Sequence, residues 1–251
     1  MQKETMMLLN EMKYAIKESI SDKKIGVGFS GGVDSSLISK ICFDLGYDIT
    51  LLTIGFPDSH DIVFAKEVNI HLNYNHKIFE IDTNTFDNIA SKINKKIKTD
   101  NLSWNENCIA FYYVAKLADG LDIKTVVTAN GIDELFCGYN AYRDVIDEGE
   151  AKVLELMNSK LENELQMMNA INDVTSEFGV QIVHPLLSKK FIDYTKTIPI
   201  SEKIIGKDDL LRKHIIRKLA AEINVPRIST NKRKKALQYG SFIHKELLKS
   251  R

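Results

Sequence analysis

The chain has 251 residues, 44% of them hydrophobic, and its 34 basic residues are balanced by 34 acidic ones. That length and apolar content support a full core, as one large domain or a domain with a subdomain, and the zero net charge removes any global electrostatic argument for nucleic acid or a membrane. No N-terminal secretory pattern and no long apolar run is present, so a soluble, unexported protein is expected.

Residues 4–20 place Met7, Leu8, Met12, Ala15, Ile16 and Ile20 at helical spacing, which predicts a leading amphipathic helix. The apolar run Ile25 to Phe29 predicts a strand, followed by Ser30-Gly31-Gly32-Val33-Asp34-Ser35-Ser36 and a helix through Leu37 to Leu45. Ile49 to Ile54 reads as a second, buried strand ending at Gly55-Phe56-Pro57. Asp58 to Asp61 opens a helix toward Leu72. Lys77 to Ile81 is a third strand, Asp82-Thr83 caps another helix, Asn105 to Asp119 is a further helix, and Lys124 to Thr128 is a fourth strand. Strands alternating with helices of this length predict an α/β fold with a doubly wound, mainly parallel sheet, whose ligands bind at the carboxyl ends of the strands. Beyond Tyr142 strand signals stop. Residues 150–178 predict a long helix with a solvated, acid-leaning surface. Shorter helices follow over Ser188 to Ile198 and Asp208 to Asn224. The expected organisation is an α/β core over residues 1–140, which carries the ligand site, and a helical part over 141–251 that closes over it.

The first loop carries the clearest chemistry. Adjacent glycines let the backbone approach a ligand, and the N–H groups at the start of the following helix favour an anion. Ser30, Ser35 and Ser36 add hydroxyl donors. Asp34 beside a phosphate is repulsive unless a cation lies between them, and Mg²⁺ is the obvious one. No lysine follows the glycines, so this is not a Walker A loop, and the glycine spacing is not that of a dinucleotide fingerprint.

A second loop, Thr128 to Tyr139, also begins at a strand end. Its Asp133 and Glu134 read either as dipole partners of a helix start or, with Asp34, as carboxylates that share one Mg²⁺ with a bound phosphate. The basic run Lys232-Arg233-Lys234-Lys235 reads three ways: a solvated tail, a polyanion contact, or a source of one cation for developing phosphate charge. Cys42 and Cys108 lie in apolar runs and Cys137 in the second loop. With no Cys-x-x-Cys, an iron–sulfur or zinc site is not expected, and the usage fits a reducing cytoplasm.

Ser30 to Ser36 resembles the pyrophosphate loop of the N-type ATP pyrophosphatases. In chain order Ser30 to Ser36, then Ser59, Asp61 and Ala65, then Gly131 to Tyr139, then Pro185-Leu186-Leu187, then Arg233 and Lys235 resemble the synthetase domain of glutamine-dependent asparagine synthetase and of β-lactam synthetase. The resemblance implies the adenine nucleotide alpha hydrolase-like fold. It makes Ser30, Gly31, Gly32, Ser35 and Ser36 the pyrophosphate cradle and Asp34 and Asp133 the Mg²⁺ ligands. Lys235 becomes the lysine that stabilises the α-phosphate and the amide-forming step, and the adenine sits near Leu52 to Gly55, Ile54 among them, and Ala129, with Gly131 in the turn beside it. The implied cofactors are ATP and Mg²⁺. The implied reaction adenylates a carboxylate and joins it to an amine or ammonia, releasing AMP and pyrophosphate, with aspartate the substrate by analogy.

Three departures shape the expectation. The chain runs from Met1-Gln2 straight into the ATP domain without a glutaminase, so its nitrogen is expected as free ammonia, from a separate donor subunit, or replaced by another nucleophile. Asn130 stands where the family has a glutamate, and an amide is no general base, though it can hydrogen-bond a substrate or ATP. Ala129 and Cys137 replace small family residues; Cys137 reads as a thiol near a helix start or as an apolar filler. Two other functions stay open at this point: adenylation of RNA or a sulfur acceptor, and a nucleotide-binding subunit without catalysis. A homodimer is also admitted.

Overall fold

The computed structural model describes residues 1–233 and 235–249. Short β-branched runs make a five-stranded parallel sheet of β1 (Lys24–Gly28), β2 (Asp48–Gly55), β3 (Asn75–Glu80), β4 (Thr125–Val127) and β5 (Gln181–Val183), in the order β3-β2-β1-β4-β5. The chain winds outward from β1 to β3 on one side, then returns to place β4 and β5 on the other. A crevice therefore opens between the carboxyl ends of β1 and β4, the switch point of the winding.

Helices cover both faces. They are α1 (Lys3–Ser19), α2 (Val33–Asp44), α3 (His60–Leu72), α4 (Thr83–Ile97), α5 (Leu102–Asp119), α6 (Ile132–Leu135), α7 (Ala141–Val145), α8 (Glu150–Thr175), α9 (Lys189–Thr195), α10 (His214–Glu222), α11 (Arg227–Thr230), α12 (Leu237–Gly240) and α13 (Ile243–Lys249). The two-residue period of the strands divides the core. Ile49, Leu51, Val127 and Val183 join a cluster with residues of α1, α2, α9 and α10. Leu52, Ile54, Val126 and Ile182 join the opposite cluster with residues of α4, α5, α8 and α13. Burial on both faces is why these strands read as continuous apolar runs.

The predicted α/β sheet and most elements match within a few residues, and Asp82 caps α4 by accepting the N–H of Asn84 at 3.0 Å. Three expectations are corrected. Strands do not end at Tyr142: β5 completes the sheet, and its three residues are too few to show a period. The long helix α8 is not a solvated face alone, since Val153, Met157, Met167, Met168, Ile171 and Val174 are buried. The helix predicted from Asp208 begins only at His214. The Asp209 carboxylate accepts the N–H groups of Leu211 at 3.2 Å and Arg212 at 2.9 Å, and Arg212 and Lys213 then take positive φ of 50° and 55°. An aspartate that bonds its neighbouring backbone in this way favours a turn over a helix.

Candidate active site

A cavity of about 520 Å³ opens at the switch point. Its lining brings together Ser30, Gly32, Asp34 and Ser35 from the first loop, Leu52 and Ile54 from β2, Ala129, Asn130 and Asp133 from the second loop, and Lys235 from the closing segment. Gly31, Ser36 and Gly131 are not among the residues that line it. Gly31 has a φ of 76°, and a side chain there would press on Phe64 at 3.0 Å and on the Cα of Ala65 at 3.2 Å. Ser36 turns its hydroxyl inward, donating to the Gly31 carbonyl at 3.2 Å, and Ser229 of α11 donates to the same carbonyl at 2.7 Å. These residues hold the loop's shape from behind, while Ser30 and Ser35 face the cavity at its front. Gly131 caps the N-terminus of α6. Ala65 of the supporting motif is the floor under the loop, and Asp61 lies under the closing segment, where a side chain at Gly240 would overlap its carboxyl group.

The two acids predicted from separate loops meet. Lys213 donates to Asp34 Oδ2 at 2.6 Å and to Asp133 Oδ1 at 3.0 Å. Its side chain is 1% exposed, against 20% for Asp34 and 19% for Asp133. Burial alone would favour the neutral amine, but the two carboxylates outweigh it and hold the ammonium form above its usual range. The position of Asp133 depends on Gly138, because a Cβ at 138 would come within 1.8 Å of Asp133 Oδ1. The Gly138 carbonyl in turn accepts from Arg212 Nε at 3.2 Å and Nη2 at 3.1 Å. The turn that carries Lys213 is thereby clamped to the loop that carries Asp133.

Across the cavity, α8 presents Glu164, which sequence reasoning missed. Asn130 Nδ2 donates to Glu164 Oε1 at 2.6 Å. A carboxylate thus stands beside the residue whose amide replaced the expected acid. Helix α8 also contributes Lys160, Asn163 and Met167 to the wall, and α5 contributes Asn107 and Phe111. Neither Glu164 nor Lys213 lies in a recognisable motif. Glu164 is a polar residue on a long amphipathic helix and Lys213 sits in the turn before α10, 34 and 80 positions from their partners in the second loop. Only their failure to sit on a solvent-facing stripe is a signal that sequence could have offered.

Under the second loop, Thr128 Oγ1 and His184 Nδ1 are 2.6 Å apart, and burial lowers the His184 pKa to about 4. Cys137 is fully buried, and its thiol is pushed up to about 12 by burial, so it is the apolar filler and not a reactive thiol. Cys42 and Cys108 are likewise buried, unpaired thiols. Lys232 and Arg233 line the cavity rim, with Lys232 Nζ 4.5 Å from the centre of the Phe64 ring. Lys234 of that basic run lies outside the described residues.

The donor set fits Mg²⁺. Two carboxylates that share one cation supply hard oxygen ligands, and Mg²⁺ commonly takes one or two carboxylates with phosphates and water completing its shell. No group of three or more His, Cys, Asp or Glu side chains suited to a metal occurs among the described residues.

The fold and the loop at its switch point define an ATP pyrophosphatase-type domain. The chain belongs to the asparagine synthase family, whose model matches residues 10–173 and 147–250. No curated protein sequence matches it. Among solved structures it is similar to NMN synthetase from Francisella tularensis, at a TM-score of 0.50 and 16% identity over 94% of this chain and 75% of that one, which shows a shared fold. It is also similar to the NH3-dependent NAD synthetase from Campylobacter jejuni, at a TM-score of 0.47 and 18% identity over 98% of this chain and 86% of that one. That overlap is too loose to bear on the assignment. No described helix is long and apolar enough to cross a membrane.

Proposed function

We propose that the protein is an ATP- and Mg²⁺-dependent ligase of the asparagine synthetase type, which adenylates a substrate carboxylate and then joins it to an amine or ammonia. The observation that carries this reading is one cavity holding the glycine-rich loop, the Asp34–Asp133 pair and, opposite them, the Asn130–Glu164 pair.

In this reading the triphosphate lies on Ser30, Gly32 and Ser35 at the start of α2, where backbone N–H groups and the helix dipole receive it. Mg²⁺, held by Asp34 and Asp133, supplies charge neutralisation for the phosphates. Leu52, Ile54 and Ala129 give the base an apolar bed. A substrate carboxylate oxygen attacks the α-phosphorus, the bond to the β-phosphate oxygen breaks, and pyrophosphate leaves. Lys235, an exposed cation at the rim, closes on the charge developing at the α-phosphate. The nitrogen nucleophile then attacks the acyl carbon of the adenylate, the carbon–oxygen bond to AMP breaks, and Glu164 accepts the proton that the nitrogen loses. Asn130 orients Glu164 and needs no basicity of its own. Catalysis is positioning and charge stabilisation.

The test is pyrophosphate release from Mg-ATP with aspartate, with and without ammonium, beside Asp34→Ala. Aspartate-dependent release lost in the variant, with asparagine formed when ammonium is present, supports the full reading. ATP binding without release under these conditions would remove aspartate as substrate. The next search would then be for another carboxylate or a nitrogen-donor subunit. No ATP binding at all would overturn the reading.

A further inference from the structure

Lys213 stands between the two carboxylates read above as metal ligands. We propose that Lys213 is a built-in cation that holds the divalent-metal position until a nucleotide arrives, so that the metal enters this protein only together with the nucleotide. The inference rests on the ligase reading for the identity of the metal ligands.

The geometry is specific. One ammonium donates to Asp34 Oδ2 at 2.6 Å and Asp133 Oδ1 at 3.0 Å, so a divalent ion on both oxygens must compete with it for the same space. The backbone that delivers it is costly. Arg212 and Lys213 are consecutive non-glycine residues at φ of 50° and 55°. Such strain persists where surrounding contacts over-determine it. Those contacts are the Asp209 carboxylate on the Leu211 and Arg212 N–H groups, and Arg212 on the Gly138 carbonyl. A lysine needed only for packing requires none of this.

The same clamp fixes what can move. With the main chain at 213 tied to the Asp133 loop, only the side chain can yield. A metal ion arriving alone would strand a buried ammonium without its carboxylates, which a protein interior penalises heavily. A metal ion arriving with ATP also brings phosphate oxygens to the start of α2, beside Lys213 in the same cavity, and the displaced ammonium pairs with them. Metal and nucleotide are then coupled, each raising the affinity for the other.

Mn²⁺ binding followed by electron paramagnetic resonance tests this without any turnover. Wild-type protein should bind no stoichiometric Mn²⁺ at sub-millimolar concentration alone, and one Mn²⁺ when α,β-methylene-ATP is added. Lys213→Met, checked for native circular dichroism, should bind one Mn²⁺ without nucleotide at least tenfold more tightly than wild type, and Asp34→Asn in that background should abolish the gain. Stoichiometric Mn²⁺ on wild type without nucleotide overturns the proposal whether or not the variant folds, and leaves the ligase reading standing. A folded Lys213→Met that gains no affinity also overturns it. Absence of Mn²⁺ from wild type even with the nucleotide analogue overturns the ligase reading, and this proposal with it.

Discussion

The two halves of the cavity are built differently. The nucleotide half is made from short loops at strand ends, residues 30–36 and 128–133, whose shape is set by backbone and by packing from behind. Within each loop the parts are near neighbours in sequence, and the first loop is held from behind by Ser36 and by Ser229 of α11. The opposite half is a set of side chains, Asn107, Phe111, Lys160, Asn163 and Glu164, projecting from the long helices α5 and α8. A surface of side chains on helices changes one residue at a time without disturbing the backbone that positions it. In the proposed reading, backbone-set loops handle the nucleotide and helix side chains meet the acceptor, with Asn130 at the seam: it lies on the second loop and bonds Glu164 of α8.

Four measurements break or sharpen that contrast. Asp34→Ala removes a carboxylate at the centre of the nucleotide half and should lower pyrophosphate release on the order of 10³-fold. Retention of release within a few-fold would remove Asp34 from the metal site. Glu164→Gln keeps the hydrogen bond from Asn130 but cannot take a proton. Exchange of labelled pyrophosphate into ATP should survive, while amide formation falls on the order of 10²-fold. Equal loss of both steps would show that the two halves are not separable. Gly138→Ala pushes a methyl into Asp133, within 2.8 Å of its Cα as well as onto its carboxyl group, so the loop itself must shift. Nucleotide affinity in the presence of Mg²⁺ should fall by at least roughly tenfold, one increment of 1.4 kcal/mol, and the melting temperature should fall with it. An unchanged affinity would show that the position of Asp133 does not depend on Gly138.

The smallest effect concerns the support under the nucleotide half. Burial depresses the His184 pKa from 6.5 to about 4. Between those values the unfolded chain binds a proton that the folded chain refuses, so stability rises with pH there. The contribution is fully present above 6.5 and is lost as pH falls toward 4. It amounts to about 3 kcal/mol at most. Urea unfolding from pH 4 to 7 should show this slope, and His184→Gln should flatten it. His76, depressed to about 4 by burial and by Lys66, adds a slope of the same sign that the variant leaves in place.

Much of this was legible from residues alone. Ser30 to Ser36 with an apolar run before it and a helix after it specified strand, turn and helix, because glycine and hydroxyl chemistry act within a few residues. The parallel sheet followed from alternating strands and helices, each long enough to show its period. Asp34 and Asp133 could be named because each sits in its own local motif. What sequence did not reveal was β5, only three residues long, and the turn at Asp209, where one carboxylate accepts the Leu211 and Arg212 N–H groups and Arg212 and Lys213 take positive φ before the helix begins.

By itself, then, the sequence determined the glycine-rich loop and the core strands and offered Asp34 and Asp133 as separate local candidates, since each of these depends on near neighbours. Tertiary structure alone decided that Lys213 lies between the acids and that Glu164 stands beside Asn130. Both pairings join residues far apart in the chain. No local pattern encodes them, because a glutamate on a helix such as α8, or a lysine in a turn such as the one before α10, looks solvated until its element is docked.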